Sequence, residues 1–226
     1  MPRRACALVR SALLVAGLAS SGLSAAQDSI SAAETLLFQA NHLKNVAPAA
    51  TLFYEFRKTG SGETGFDDTV ELRVRAVEGV KRVSVAFFTN ERKIDFPEVT
   101  RPEGNPLLLY FLERDIREMQ RLTGGKSGYF RKAIRLALAR SARVAQTQVS
   151  LGGKVLAASE ITIAPYLDDP LKDRIGRYAD KTYVFTLSAE VPGGIYSLRT
   201  TVPSPAGGAK EAPLIEERLR FVRITR

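Results

Sequence analysis

Two clusters of carboxylates come closest to a chemical site in this chain. Asp67-Asp68 is one, and Asp168-Asp169 with Asp173 is the other. The second group sits in a polar stretch and could offer oxygens to calcium, but it lacks the Asp-x-Asp-x-Asp-Gly spacing and Pro170 stiffens it. Paired acids also hydrolyse glycosides when they flank a bond about 5–10 Å apart, which adjacent loop residues do not provide. Gly124-Gly125-Lys126-Ser127 resembles the end of a phosphate-binding loop, yet the required earlier glycine is Gln120 and a helix precedes it instead of a strand. His42 is the only histidine and Cys6 the only cysteine, so imidazole triads and zinc sites lack their usual partners. The sequence has no Gly-x-Ser-x-Gly elbow and no Ser-x-x-Lys dyad. We therefore expect no metal, no cofactor and no catalytic residue, with a carboxylate-dependent hydrolase as the third-ranked reading.

Charge is more informative. Between residues 126 and 159 stand seven cations and no acid. Four of them, Arg131, Lys132, Arg135 and Arg140, fall on the outer face of one expected helix. A basic amphipathic helix can rest on anionic lipid, and the same face can simply be solvated.

The amino terminus reads as an export signal. Arg3, Arg4 and Arg10 precede a nine-residue apolar run at residues 11–19, and Ser24-Ala25-Ala26 supplies small residues before Gln27. Such a run is too short to span about 30 Å of hydrocarbon as an anchor. Residues 1–26 are expected to be cleaved near Ala26, leaving residues 27–226 as one periplasmic or secreted domain without cysteine. The formal charge of +9 includes the three signal arginines, so the mature chain carries +6. That balance favours anionic lipid surfaces or acidic envelope proteins as partners, and export argues against nucleic acid.

The elements that must position these residues follow from periodicity. A helix is expected over residues 29–44, with Ser31 and Glu34 as its capping box and His42 on the solvated side. Alternation then predicts strands at residues 51–58, 70–76, 82–89 and 93–96. Asn105-Pro106 opens a helix with Leu109, Leu112, Ile116 and Met119 as its stripe. Leu108 and Phe111 widen that stripe, and Arg114, Arg117 and Glu118 stay outside it. Ser127 caps a second helix, with Phe130, Ile134, Ala137 and Leu138 inward. Hairpins are expected at Gly152-Gly153 and at Gly193-Gly194, with strands at residues 142–151, 155–163, 183–191, 195–202 and 215–225.

A helix, a strand meander, a central helix pair and closing strands make an α+β fold. Its centre is a strongly curved antiparallel sheet, a half-barrel with the N-terminal helix and the helix pair on its concave face. This element order over residues 29–225 resembles the LolA/LolB-type half-barrels that carry lipoproteins through bacterial periplasms. Residues 105–140 and 177–203 also resemble parts of uncharacterised exported proteobacterial proteins. The first resemblance carries over no residue. The fold pattern, export and the lack of catalytic groups lead us to expect a non-enzymatic module that binds a lipid or other apolar ligand in the concave sheet, against Leu108, Phe111, Leu112, Ile116, Met119, Phe130, Ile134 and Leu138. A protein-interaction module of the envelope, with a filled core, is the alternative.

Overall fold

The computed structural model describes Met1, residues 30–205 and residues 211–226. The export signal expected over residues 1–26 lies, apart from Met1, outside the described residues.

Ten strands form one antiparallel sheet: β1 (Ala50–Thr59), β2 (Phe66–Val77), β3 (Val80–Phe87), β4 (Ile94–Asp95), β5 (Val99–Thr100), β6 (Arg143–Leu151), β7 (Lys154–Ile163), β8 (Thr182–Leu187), β9 (Ile195–Val202) and β10 (Ile215–Thr225). Their order is β4-β3-β2-β1-β10-β9-β8-β7-β6, with β5 also on β3. Two meanders are thus joined by the last strand, which inserts between β1 and β9. The sheet stays open, its edges being β4 and β6. This is the α+β half-barrel expected from the sequence. The Gly152-Gly153 turn uses positive φ at both glycines, +57° and +76°, the backbone a two-residue hairpin requires.

One face of the sheet is buried with period two. In β1 it carries Leu52, Tyr54 and Phe56, and the same phase continues to Lys58. Against it lie α2 (Pro106–Thr123) and α3 (Ser127–Arg140), with the short α1 (Ala32–Glu34) beside them. Phe111, Met119 and Phe130 are at most 1% exposed, so the space between helices and strands is filled with side chains. On the far flank of α2, Tyr110 stacks on Phe96 at 4.2 Å and donates its hydroxyl to the Pro97 carbonyl.

Several local expectations are corrected. The first helix does not run through residues 29–44. After α1 the chain widens into a π-helical turn, Thr35–Gln39, and Ala40 is extended. His42 is consequently buried, not solvated, in the turn that follows. The cap of α3 is Lys126, Ser127 already being helical with no side-chain cap bond. The strand expected over residues 183–191 ends at Leu187, and residues 188–194 form the connecting turn. Arg114 is buried, and Glu118 keeps little exposure, because α2 is covered on more than one flank. A short helix, α4 (Lys172–Ile175), falls within the polar loop before β8.

Candidate functional site: a helix-walled groove

The N-terminus of α2 is fixed by three residues distant in sequence. Asn105 accepts from the Leu107 amide at 3.0 Å, capping the helix, and its Nδ2 donates to the Gly193 carbonyl at 2.8 Å. Gly193 has φ +77°, and a Cβ there would lie 2.5 Å from Leu52 Cδ2, so only glycine fits this joint. His42 completes it. Its Nε2 lies 2.8 Å from the Leu36 carbonyl, which needs a proton there, leaving Nδ1 to accept from the Asn105 amide at 3.4 Å. Burial lowers the imidazole pKa, with the Leu36 carbonyl pulling it back up. Both ring nitrogens are engaged, so His42 holds structure together.

A polar row anchors the rest of α2. Lys58, Glu217, Thr200 and Tyr183 stand directly opposite one another across β1, β10, β9 and β8, all on the buried face. The helix answers with three residues. Arg114 bonds to Glu217, Asp115 to the Lys181 ammonium and to the Tyr183 hydroxyl (2.6 Å), and Glu118 to Lys58 at 2.7 Å. Tyr166 extends the network through its hydroxyl, 3.1 Å from that of Tyr183. Burial and the Asp115 charge push the Tyr183 phenol well above its ordinary range. Asp115 and Lys181 are 0% and 2% exposed and cannot reach a substrate from solution. Buried ion pairs of this kind fix how α2 docks on the sheet, while Thr200 Oγ1 and Glu217 Oε1 of the same row have no hydrogen-bond partner among the described residues. None of these groups entered the sequence-based site, although the alternation through β1 and β10 already places Lys58 and Glu217 inward.

The flank of α2 about a third of a turn away from this row is different in character. With α1, the π-turn and α3 it walls an apolar groove of about 320 Å³. Leu112, Ile116, Ile134 and Leu138 form its floor, and Phe38 and Leu109 its sides. Leu109 is 52% exposed, at the rim. The capping box of α1 holds this wall in place. Glu34 receives the Ser31 amide at 3.0 Å, and the Ser31 hydroxyl donates to the Leu138 carbonyl at 2.9 Å, tying α1 to the last turn of α3.

Of the residues expected around an apolar ligand, four line this groove, whereas Leu108, Phe111, Met119 and Phe130 pack in the core. Of the basic residues, Arg131 and Arg135 stand at the groove's edge, and Lys132 and Arg140 are exposed elsewhere on α3. Arg131 is held by Glu113 through two bonds of 2.8 Å, which lower the Glu113 carboxyl pKa. Arg135 has no ion pair among the described residues. The loop carboxylates stay away from the groove, though, added to burial, the Asp169 charge helps raise the phenol pKa values of Tyr129 and Tyr166. Asp168 and Asp173 are exposed, and Asp169 accepts from the Leu171 amide at 2.7 Å in a turn.

No family model and no curated protein matches the chain. Solved structures similar to it include the lipoprotein LppX of Mycobacterium tuberculosis, at 11% identity and a TM-score of 0.33 over 76% of this chain and 84% of that one. A LolA superfamily protein from Nitrosomonas europaea is similar at 10% identity and a TM-score of 0.24, over 85% and 92% of the two chains. The LolA superfamily is the one that the element order resembles.

Proposed function

We propose that this chain is an exported, non-enzymatic binding module of the cell envelope. Its ligand would be an acyl chain with an anionic end, held in the groove between α1, α2 and α3. The observation that carries this reading is the groove itself: an apolar floor of Leu112, Ile116, Ile134 and Leu138, with Arg135, which has no ion pair among the described residues, at one edge. Its volume falls at the lower end of the range of small-molecule sites, and its pattern of apolar walls with few polar groups is theirs too. The arginine edge favours a carboxylate or phosphate end over a neutral one. Cleavage near Ala26 would deliver the domain to the periplasm, where the exposed basic face of α3 would meet anionic lipid or an acidic envelope protein.

The test is native mass spectrometry of the mature protein purified from cells, followed by titration of delipidated protein with laurate. A co-purifying lipid mass and laurate-dependent stabilisation are expected. Leu109→Glu, at the exposed rim, should weaken laurate binding about tenfold through like-charge repulsion without unfolding the domain. A clean apo mass together with no thermal shift in laurate would overturn the acyl-chain reading. A protein partner captured under those conditions would favour the interaction-module alternative.

A further inference from the structure

Beyond the groove, an open cleft of about 710 Å³ lies at the other end of α2. It is lined by five cations and two carboxylates, a composition unlike that of the acyl groove. Three of the cations are already matched. Lys58 holds Glu63 at 2.6 Å and Glu118 at 2.7 Å, Arg121 holds the same two acids, and Arg114 holds Glu217 behind the wall. Three positive charges thus face three negative ones.

Arg92 and Arg117 are the surplus. Neither has a carboxylate within ion-pair distance among the described residues. Arg117 is felt by Glu113 only through space. Each guanidinium instead lies over an aromatic ring, Arg92 at 4.6 Å from the Phe66 centroid and Arg117 at 5.6 Å from that of Phe96. Stacking uses the face of a guanidinium and leaves its N–H edge free to donate. Phe66, Phe88 and Ile94 supply apolar wall to the same cleft. The rings themselves are braced: Phe88 packs on Phe66 at 5.6 Å and on Phe87 at 4.8 Å, and Phe87 packs on Phe96 at 5.8 Å. The two arginines therefore stand on one continuous aromatic base.

From this arrangement we propose that the cleft is a second binding site, specific for a phosphomonoester dianion received by the N–H edges of Arg92 and Arg117. The surplus of two positive charges matches the charge of that group, and planar guanidinium forks match its oxygens. The inference is independent of the acyl groove. A phosphate of this kind can come from a soluble ester or from a lipid headgroup, and Phe66, Phe88 and Ile94 would contact whatever it is attached to.

The experiment is calorimetric titration of the full mature chain with glycerol 3-phosphate, and in parallel co-sedimentation with phosphatidylcholine vesicles containing phosphatidate. Arg92→Gln and Arg117→Gln should each weaken binding about tenfold, and the double variant should abolish it. Both residues are exposed, so the variants are expected to melt like the wild type. Lys154→Gln, at the exposed β6–β7 turn and outside both the cleft and the groove, should leave binding unchanged. Retention of both probes assigns the phosphate group itself as the ligand, and retention of vesicles alone assigns the headgroup in its membrane. Failure of the wild type to bind either probe overturns the proposal, as does an equal loss on Lys154→Gln, which would indicate unspecific attraction to net positive charge.

Discussion

Replacing Glu118 by glutamine isolates the charge that fastens α2 to β1. Burial raises the Glu118 carboxyl pKa, but hydrogen bonds from Arg121 and Lys58, with the charges of Lys58 and Arg114, prevail and hold it at about 2, against an ordinary 4.5. That difference corresponds to about 3 kcal/mol if undiluted. Water still reaches part of the side chain, and screening reduces the figure to about 1.5–2 kcal/mol. The folded-state value lies below the unfolded one, so the contribution is complete above pH 4.5 and fades as pH falls toward about 2. Glutamine keeps the shape and one acceptor oxygen while removing the charge. Urea unfolding of wild type and Glu118→Gln should therefore differ by about 1.5–2 kcal/mol at about pH 7, and the gap should shrink to less than half near pH 3. A gap that stays constant between those conditions would refute the reasoning, because it would assign the loss to packing. A gap under about 0.5 kcal/mol at neutral pH would show Glu63 taking over both cations.

Two further substitutions probe the other fastenings of the same helix. Asn105→Ala removes the α2 cap and the bond to the Gly193 carbonyl, and should cost about 2 kcal/mol in urea unfolding; Asn105→Asp, which keeps the capping oxygen but not the donor, should recover about half. Lys181→Met leaves Asp115 charged and buried with only the Tyr183 hydroxyl, which should cost about 3–5 kcal/mol. Adding Asp115→Asn to that variant should restore part of the loss, as measured by the shift in thermal midpoint.

The strands and their faces were legible because alternation is a local property: Leu52, Tyr54 and Phe56 announce the inward side of β1 whatever packs on it. The cap at Asn105-Pro106 and the paired glycines of the hairpin at Gly152-Gly153 are equally local, since each concerns a backbone conformation within a few residues. The stripe Leu109, Leu112, Ile116 of α2 was also visible, but its direction was not. A helix covered on one flank by strands and on another by α3 has two buried sides, and a single apolar stripe cannot say which faces the sheet. The strands took the side carrying Arg114, Asp115 and Glu118. The apolar stripe was left to form the groove.

His42 shows the same limit. Its burial depends on Asn105 and on the turn at Gly193-Gly194, and no pattern within residues 29–44 refers to either. Lys58 and Glu217 lie between these cases. Each falls in the inward phase of its own strand, so the amino-acid order alone marks them as misplaced charges. Only the pairing of the first strand with the last sets them opposite one another, because register between segments so far apart is decided by packing rather than by local preference. The open α+β sheet and the basic residues of α3 could thus be read from the chain. The groove, the polar row and the surplus arginines of the cleft exist only where distant segments meet.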